Sequence, residues 1–445
     1  MRYPRSATVL AAALLSVCGA TATAAAPPRI EHIGVSADGT PANANQSMEE
    51  ISADGRYVVF SSNATNLVPG TTDITSSNIF VKDLRTGAVE QASVASDGGR
   101  PQKMSFSFAP SISADGRYVA FESTALDLAP GKTENGTDIF VRDRLTKRTE
   151  LVVRHENGVF GNTDQPVISA DGRYIAFHSE RRDLIPGDDD GPGIFVKDLR
   201  KGTIRRVSIA PDGSRPKDAS YGSPVISQDG TKVGFMAAGD DMGPGPDPDD
   251  PAPAPHGRPP TRWAGYVHDL TTGRTEPVSE TPDGRIARVR GITRFSPDGQ
   301  YALFSSHAKD LVPNDTNGVA DVFARNLRTG EIRRLSLRPD GSEAHGTSYG
   351  GVLSADNRKL FFGSYAPDLA PGDTRSKPHL FVRDLRTGAV DRIDVRADGD
   401  RTTDGTSSGV HVDRSGKLAV FANFGLDLVT GQANERDNLY LRRLD

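Results

Sequence analysis

Oxygen-bearing side chains that bind cations are concentrated in one short segment of the sequence. Asp315, Asn317 and Asp321 stand close together, with Gly318 between them to allow a bend. Calcium is commonly held by loops of this composition, although the segment lacks the twelve-residue spacing and the closing glutamate of an EF-hand. Asp and Asn are also frequent turn residues. The segment predicts a calcium site, with a plain turn as the alternative; no other cofactor is predicted.

Histidines are scattered along the chain without the short spacing of a metal-binding pair. His178, His307, His345 and His379 each stand beside or between apolar runs, and His411 lies within one. Imidazole is a common metal ligand and a base near neutral pH, so histidines that converge in a fold can serve a metal-dependent lyase or hydrolase. The first four are the candidate ligand-binding residues. An isolated structural or solvated histidine is the alternative for each.

Two G-x-S-x-G strings, at 346–350 and 405–409, share their spacing with the nucleophile elbow of serine hydrolases. That elbow needs a strand before the serine and a helix after it, which hold the serine on a strained turn. Both strings instead come just before a predicted strand, and no helical period follows them. The sequence therefore assigns no catalytic residue.

The elements that must position these side chains come from one repeated stretch. Residues 51–60 read ISADGRYVVF, the end of one strand, an Asp-Gly turn and a second strand, with glycine supplying the positive φ of the turn. Related stretches occur at 112–121, 168–177, 226–235, 294–304, 353–362 and 412–421. A repeat of about 50–60 residues with short strands and turns is typical of a β-propeller.

The predicted fold is all-β, a seven-bladed β-propeller of four-stranded antiparallel blades in one domain over 29–445. The seventh repeat ends after its third strand, whereas residues 29–39 match a fourth strand with its turn. We therefore expect the N-terminal strand to complete the last blade and close the ring, which removes open sheet edges. The predicted blades span about 44–99, 104–156, 163–213, 219–283, 288–341, 346–399, and 405–445 plus 29–39.

The N-terminus predicts secretion. Arg2 and Arg5 precede an apolar run at 7–19 that is too short to span a bilayer, and small residues follow, so residues 1–24 read as a signal peptide. Cys18, the only cysteine, gives the alternative of a lipoprotein anchored through its thiol. No later apolar run is long enough for a transmembrane helix. Removal of the two arginines makes a chain of charge −5 more acidic, which disfavours nucleic acid as a partner.

One segment departs from the repeat. Residues 239–262 are rich in proline and aspartate and fall between the second and third strands of the fourth repeat. Such a composition does not build a packed element, so the segment is predicted to be a disordered loop insertion.

The repeat resembles the WD40-like (PD40) repeat of TolB and of tricorn-type and dipeptidyl-peptidase-type propellers. The resemblance is carried by the S-x-D-G-R-Y-V-A-F core at 113–121 and by the strand at 79–84 with the Thr-Gly that follows it. It covers essentially the whole chain after the signal. It implies an interaction or substrate-gating module, because the peptidases of this kind carry a separate catalytic domain.

Some connections between strands are nearly the same in every repeat, whereas others vary from repeat to repeat. The turns between first and second and between third and fourth strands are nearly uniform, whereas the remaining connections vary in length and chemistry. This contrast predicts a structural face and a recognition face. We expect a secreted, monomeric propeller without catalytic activity that binds a protein, peptide or glycan of the cell envelope or medium. The alternative is an extracellular polysaccharide lyase or hydrolase with its site at the channel mouth.

Overall fold

The computed structural model describes residues 30–71, 73–102, 104–132, 136–153, 161–187, 191–216, 219–238, 242, 263–370, 377–396, 406–424, 428–429 and 436–444. These residues form strands β1 to β28 and no helix. The strands pair into seven four-stranded antiparallel sheets arranged as the blades of a ring. The predicted seven-bladed propeller is confirmed. The predicted signal at 1–24, with Cys18, lies outside the described residues.

From the channel outwards, the strands of each blade follow the order of the chain, except that the last blade takes its outer strand from the N-terminus. Blades 1 to 4 are β2 (Gln46–Ile51), β3 (Tyr57–Ser62), β4 (Asn78–Asp83), β5 (Val89–Gln91); β6 (Ser107–Ile112), β7 (Tyr118–Ser123), β8 (Asp138–Asp143), β9 (Arg148–Leu151); β10 (Thr163–Ile168), β11 (Tyr174–Ser179), β12 (Gly193–Asp198), β13 (Ile204–Arg206); β14 (Ser220–Ile226), β15 (Lys232–Ala238), β16 (Ala264–Asp269), β17 (Thr275–Pro277). Blades 5 to 7 are β18 (Gly291–Phe295), β19 (Tyr301–Ser306), β20 (Asp321–Asn326), β21 (Ile332–Arg334); β22 (Ser348–Leu353), β23 (Lys359–Ser364), β24 (His379–Asp384), β25 (Val390–Arg392); β26 (Thr406–Val412), β27 (Leu418–Phe424), β28 (Asp437–Arg443), β1 (Ile30–His32).

The core lies between blades, because each sheet is covered on both faces by its neighbours. Phe121 of β7 and Phe140 of β8 stack with ring centroids 5.8 Å apart, and neither is exposed to solvent. The same two positions hold an aromatic pair in every other blade, namely Phe60–Phe80, Phe177–Phe195, Phe235–Tyr266, Phe304–Phe323, Phe362–Phe381 and Phe421–Tyr440. The apolar runs on the second and third strands of the repeats are therefore inter-blade packing.

The Asp-Gly turns interlock neighbouring blades. Gly116 has φ +71°, and a Cβ on it would lie 2.1 Å from Cδ2 of Tyr57 in the preceding blade. Gly172 meets Tyr118 in the same way, at 2.2 Å. Glycine is required at these positions for two reasons, the left-handed backbone and the close approach of the tyrosine ring.

The two chain ends close the ring. Strand β1 pairs antiparallel with β28, with Ile30 opposite Arg442 and His32 opposite Tyr440. Glu31 accepts a hydrogen bond from Nε of Arg443 at 2.6 Å. The predicted completion of the last blade by the N-terminal strand is confirmed.

The ring has two faces with different connections. The turns between first and second and between third and fourth strands lie on one side, the turn face; the other connections lie on the opposite side, the loop face. Of the predicted insertion at 239–262, the structure describes Met242 and no other residue. The Met242 side chain is buried, and its carbonyl accepts a hydrogen bond from the Tyr266 hydroxyl.

Candidate functional site: the central channel

The inner strands of all seven blades surround a central cavity of about 510 Å³. On blades 2, 3 and 4 its wall includes Pro110, Pro166 and Pro224. Phe295 is the one aromatic side chain among the described residues that line it. The channel is thus a largely aliphatic space into which a few polar side chains project.

Every inner strand contains a bulge at the same level. In blade 3 the pairing register shifts between Asp164 and Val167, and equivalent shifts occur in the other six blades. Gln165, within that bulge, has φ +54° although it is not glycine. A bulge leaves residues outside the hydrogen-bond ladder, which explains why proline is tolerated in blades 2 to 4.

One position of the inner strand faces the channel in every blade and differs strongly between blades. We call it the ring position; it is the residue just before the last residue of each inner strand. Its occupants in blades 1 to 7 are Glu50, Ser111, Val167, Val225, Arg294, Val352 and His411, and all seven line the cavity. One strand position therefore supplies an acid, a hydroxyl, a guanidinium and an imidazole to the same level of the channel.

Three of these side chains meet across the channel. Nη1 of Arg294, from blade 5, donates to Oε1 of Glu50 in blade 1 at 2.9 Å, and Nη2 contacts Nδ1 of His411 in blade 7. Oε2 of Glu50 accepts the backbone N–H of Ile112 at 2.9 Å. Blades 5 and 1 are separated by two blades on one side and three on the other. Arg294, Glu50 and His411 therefore form a cross-channel strap.

The strap fixes the protonation of His411. Because a guanidinium only donates hydrogen bonds, Nδ1 of His411 must accept, so the imidazole proton is on Nε2. Burial, together with the positive charge of Arg294, lowers the pKa of His411 well below its usual value. The imidazole is therefore neutral at pH 7, with an N–H donor available at Nε2.

A protonatable acid lies beside the strap. Burial raises the pKa of Glu49 to about 7. A Cβ on Gly409, in the bulge of blade 7, would lie 3.4 Å from Oε1 of Glu49 and 3.9 Å from Nε2 of His411. Glu49 and His411 therefore flank the same bulge, and the channel wall contains an acid that changes protonation near neutral pH.

The four candidate histidines all lie on the loop face, but the structure does not bring them together. Each one interacts with a charged residue of its own blade. The pairs are His178 with Asp164 at 2.9 Å, His307 with Arg290 at 3.2 Å, His345 with Asp368 at 2.6 Å, and His379 with Asp394 at 3.0 Å. Within the described residues, no group of three or more His, Cys, Asp or Glu side chains is arranged to hold a metal ion.

The two G-x-S-x-G strings were predicted to come just before an inner strand, but the structure places their serines inside it, Ser348 as the first residue of β22 and Ser407 as the second residue of β26. Ser348 shares a hydrogen bond with Ser364 at 3.0 Å. Ser407 donates to Oδ2 of Asp394 at 2.7 Å, the same oxygen that Nδ1 of His379 contacts at 3.0 Å. Serine and histidine therefore share an aspartate, and the hydroxyl does not donate to the imidazole as an activated nucleophile would.

The predicted calcium segment does converge, around an arginine. Nη1 of Arg334 lies 3.1 Å from Asp315 and 3.5 Å from Asp321, and Asn317 donates to Asp321 at 2.9 Å. Burial raises the pKa of Asp315 to about 6. The guanidinium occupies the position between the two carboxylates, so calcium would have to displace it; calcium binding here stays a prediction.

Glu50 and Arg294 were missed by the reasoning from sequence, and His411 was noted there without a role. The residues that stay constant between the repeats are those that pack. The signal that identifies the strap is a variable position: the residue before the last, apolar residue of the inner strand changes from Glu50 to Arg294 to His411, while the residue after it stays apolar.

No protein-family model and no curated protein matches the sequence. Solved structures share the fold. An oligogalacturonate lyase in complex with manganese is 15% identical with a TM-score of 0.54, covering 94% of this chain and 93% of the other. The propeller domain of the Trilobed protease from Pyrococcus furiosus is 14% identical with a TM-score of 0.53, covering 90% and 94%. TolB from Acinetobacter baumannii is 15% identical with a TM-score of 0.39, covering 91% and 80%.

The likenesses to the lyase and to the protease propeller domain support the propeller fold, which occurs in proteins of different activities. Among the residues that the structure describes, no helix has the length and apolar character needed to cross a membrane.

Proposed function

We propose that the protein is a secreted, non-catalytic binding module that holds a protein or peptide partner on its loop face, over the mouth of the channel. The observation that supports this is where large hydrophobic side chains are exposed. Among the described residues six are exposed, and five of them lie on the loop face: Ile74, Met104, Phe106, Tyr365 and Phe424. Exposed apolar groups gathered on one face mark interaction surfaces.

Three of these side chains form a pre-arranged group, the apolar patch of Ile74, Met104 and Phe106. The backbone N–H of Met104 donates to Oδ2 of Asp73, the residue before Ile74, at 3.2 Å. Phe106 forms a bridge with Ser77 in the same loop of blade 1. Because two loops hold each other in place, a partner that docks on the patch loses little entropy by ordering them.

The chemistry of the surface favours a polypeptide partner. Methionine and aromatic residues are enriched in protein interfaces, and both occur in the apolar patch. Met104 is 74% exposed and has φ +61°, an unusual backbone conformation for a non-glycine residue, so the loop presents this side chain to solvent. The negative charge of the chain, −5, opposes binding to nucleic acid.

Photo-crosslinking tests the proposal with a matched control. A photoreactive residue replaces Met104, 74% exposed on the loop face, or Leu145, 73% exposed on the turn face. Both proteins are illuminated with cell envelope and culture medium of the producing cell. We expect a discrete protein adduct from position 104 and none from position 145. Equal labelling from both positions, labelling from 145 alone, or an adduct with carbohydrate alone would contradict the proposal.

A channel enzyme is the second candidate, on one specific observation. Glu49, whose pKa is raised to about 7, and neutral His411 flank the same bulge in the channel wall. Groups that exchange protons near neutral pH are what acid–base catalysis requires. A polysaccharide lyase or hydrolase would use Glu49 for proton transfer, the Nε2–H of His411 to donate a hydrogen bond to the substrate, and Arg294 to bind an acidic group.

The second candidate is tested with oligogalacturonate, with and without Mn²⁺, by the absorbance of the unsaturated product. Turnover that Glu49→Gln and His411→Gln abolish would establish it and displace the binding proposal. Product formation equal to a protein-free blank would remove this candidate for that substrate.

A further inference from the structure

The guanidinium of Arg294, in the middle of the channel, has N–H donors that no described residue uses. We propose that Arg294 is the anchor for a carboxylate of the partner, and that the part of the partner entering the channel is an extended acidic peptide segment. This inference rests on the proposed function, because it assigns the ligand class of the same site. It concerns the strap, whereas the proposed function rests on the loop face.

The donor inventory of Arg294 supports this assignment. A guanidinium carries five N–H donors. One on Nη1 serves Glu50 and one on Nη2 serves His411. Nε–H has no hydrogen-bond partner among the described residues, and the Arg294 side chain is 35% exposed within the channel. Arginine with open donors binds carboxylates strongly, because the bonds are charge-assisted.

Glu50 acts as a competitor that an incoming carboxylate can replace. Its Oε2 already accepts the backbone N–H of Ile112 at 2.9 Å, so Glu50 keeps a partner when it releases Arg294. His411 contributes no charge, since it is neutral at pH 7. The ring positions of the remaining blades are serine and valine. A ligand carboxylate therefore competes with one side chain for one cation at this level.

The wall beside the strap leaves room for a ligand. Blade 6 lies between the blades that carry Arg294 and His411, and its bulge contains Gly350, where an added Cβ would meet nothing within 4 Å. Gly350 has φ +62°, yet the equivalent residues Ala109 and Gln165 of blades 2 and 3 adopt φ +47° and +54°. The backbone there accepts a side chain, so the glycine leaves open space at the bulge of the blade that lies between those of Arg294 and His411.

The opposite wall suits the main chain of a peptide. Pro166, Pro224 and Val225 present apolar surface, whereas Phe295, the one Phe, Tyr or Trp among the described lining residues, is buried in the core and offers no stacking platform. A peptide with acidic side chains combines a carboxylate for Arg294 with a backbone that packs on aliphatic groups. The favoured ligand is therefore an acidic peptide rather than a sugar acid.

The experiment measures binding of acetylated hexa-aspartate to the full chain by calorimetry at low salt, with hexa-lysine and tetragalacturonate as comparison probes. We expect hexa-aspartate to bind, Arg294→Gln to weaken it at least about tenfold, and Arg294→Lys to weaken it less. Glu50→Gln is expected to tighten binding, because it removes the competing charge. Gly350→Gln, which copies Gln165, is expected to block the open space at the bulge of blade 6.

Arg117→Gln is the matched control. Arg117 is also 35% exposed and also pairs with a carboxylate, Asp143, at 2.7 Å, but on the turn face. It is expected to leave binding unchanged. If the strap only stabilises the fold, Glu50→Gln and Arg294→Gln should change the affinity for hexa-aspartate in the same direction. If Arg294 anchors the ligand, Glu50→Gln should raise this affinity and Arg294→Gln should lower it.

Several outcomes would overturn the inference: no hexa-aspartate binding, equal effects of Arg117→Gln and Arg294→Gln, or weaker binding in Glu50→Gln. Arg294-dependent binding of tetragalacturonate alone would overturn the peptide assignment. Crosslinking from position 104 without hexa-aspartate binding would leave the proposed function standing and remove this inference. Hexa-aspartate binding without a crosslinked partner would remove the proposed function and leave the carboxylate site at Arg294 standing.

Discussion

The last two residues of each inner strand obey different constraints, although both contribute to the channel wall. The final residue packs between blades and is aliphatic or Phe in all seven: Ile51, Ile112, Ile168, Ile226, Phe295, Leu353 and Val412. The residue before it faces the channel and ranges from valine to glutamate, arginine and histidine. Successive side chains of a strand alternate between faces, so the final residue packs between blades in every blade, whereas the ring position does so only partly, as Val225 and Val352 show.

This difference shows which strand positions of a propeller can vary in side-chain chemistry. Seven copies of a packing position must keep the same shape, because each fits a neighbour that is also a copy. A ring position is less constrained: it is apolar in Val225 and Val352, which pack partly against neighbouring blades, and polar in Glu50 and Ser111, which accept backbone N–H groups of the next blade. Arg294 and Glu50, 244 positions apart in the chain, make a direct contact only because both occupy this position.

Replacing a side chain that packs between blades is expected to cause the largest loss of stability. Phe121→Ala removes an unexposed ring that stacks on Phe140, and the cavity it leaves costs about 3–5 kcal/mol of unfolding free energy. Val167→Ala, at a ring position, is the control and should cost about 1 kcal/mol or less. Urea unfolding of both variants measures the two values. Equal losses of unfolding free energy in the two variants would show that the packing position and the ring position are equally constrained.

Glu49 is an exception, since it is a buried acid next to a ring position. Its pKa in the folded protein is raised to about 7 from 4.5. Stability from the neutral form is therefore present below pH 4.5 and is lost as the pH rises through about 7, by up to about 3 kcal/mol. Glu49→Gln should match the native protein at pH 4.5 and exceed it at pH 8 in denaturant unfolding. A variant curve parallel to the native one would show that burial of Glu49 is not the cause.

A smaller effect tests the interlocked turns. Gly116→Ala meets the Tyr57 ring as well as the positive φ, and should cost about 2–3 kcal/mol. Gly87→Ala has φ +75° but nothing within 4 Å of the added Cβ, so only the backbone cost of about 1 kcal/mol applies. Thermal unfolding ranks the two variants. If the two variants lose the same stability, the contact with the Tyr57 ring adds nothing to the cost of Gly116→Ala.

The smallest effect belongs to the surface pair of Arg117 and Asp143. The hydrogen bond from Arg117 lowers the pKa of Asp143 to about 2. Its contribution is present above the usual carboxyl pKa and disappears as the pH falls through about 2. Because Arg117 is 35% exposed, solvent screening makes the loss of unfolding free energy in Arg117→Gln at pH 7 smaller than the loss in Gly87→Ala. The difference from the native protein should vanish below pH 2.

The fold could be predicted because the constant residues of the repeat are those that define it. Glycine at 55, 116 and 172 marks the turns, and the paired phenylalanines mark the packed strands. Closure of the ring was also predictable, since a repeat lacking one strand and an N-terminal strand without a repeat complement each other. These are local patterns, repeated seven times.

The channel strap could not be predicted in the same way. Contact between Arg294 and Glu50 depends on the diameter of the ring and on the bulge that turns the ring position inwards, and neither is encoded in residue spacing. The candidate histidines lie on the loop face, but each finds a charged partner in its own blade, as His178 does in Asp164; a ligand site there stays a prediction. Convergence on one face did not imply convergence on one point.

Completion of the last blade by both chain ends sets an order of events during folding. Strand β1 is the first to be made and the last to find its partner, because β28 lies 412 positions away by the Glu31–Arg443 contact. Contacts so distant in sequence slow folding. A chain whose β1 segment is moved to follow residue 444 would make that pairing a short hairpin. Such a permuted protein should close its ring faster while reaching the same structure.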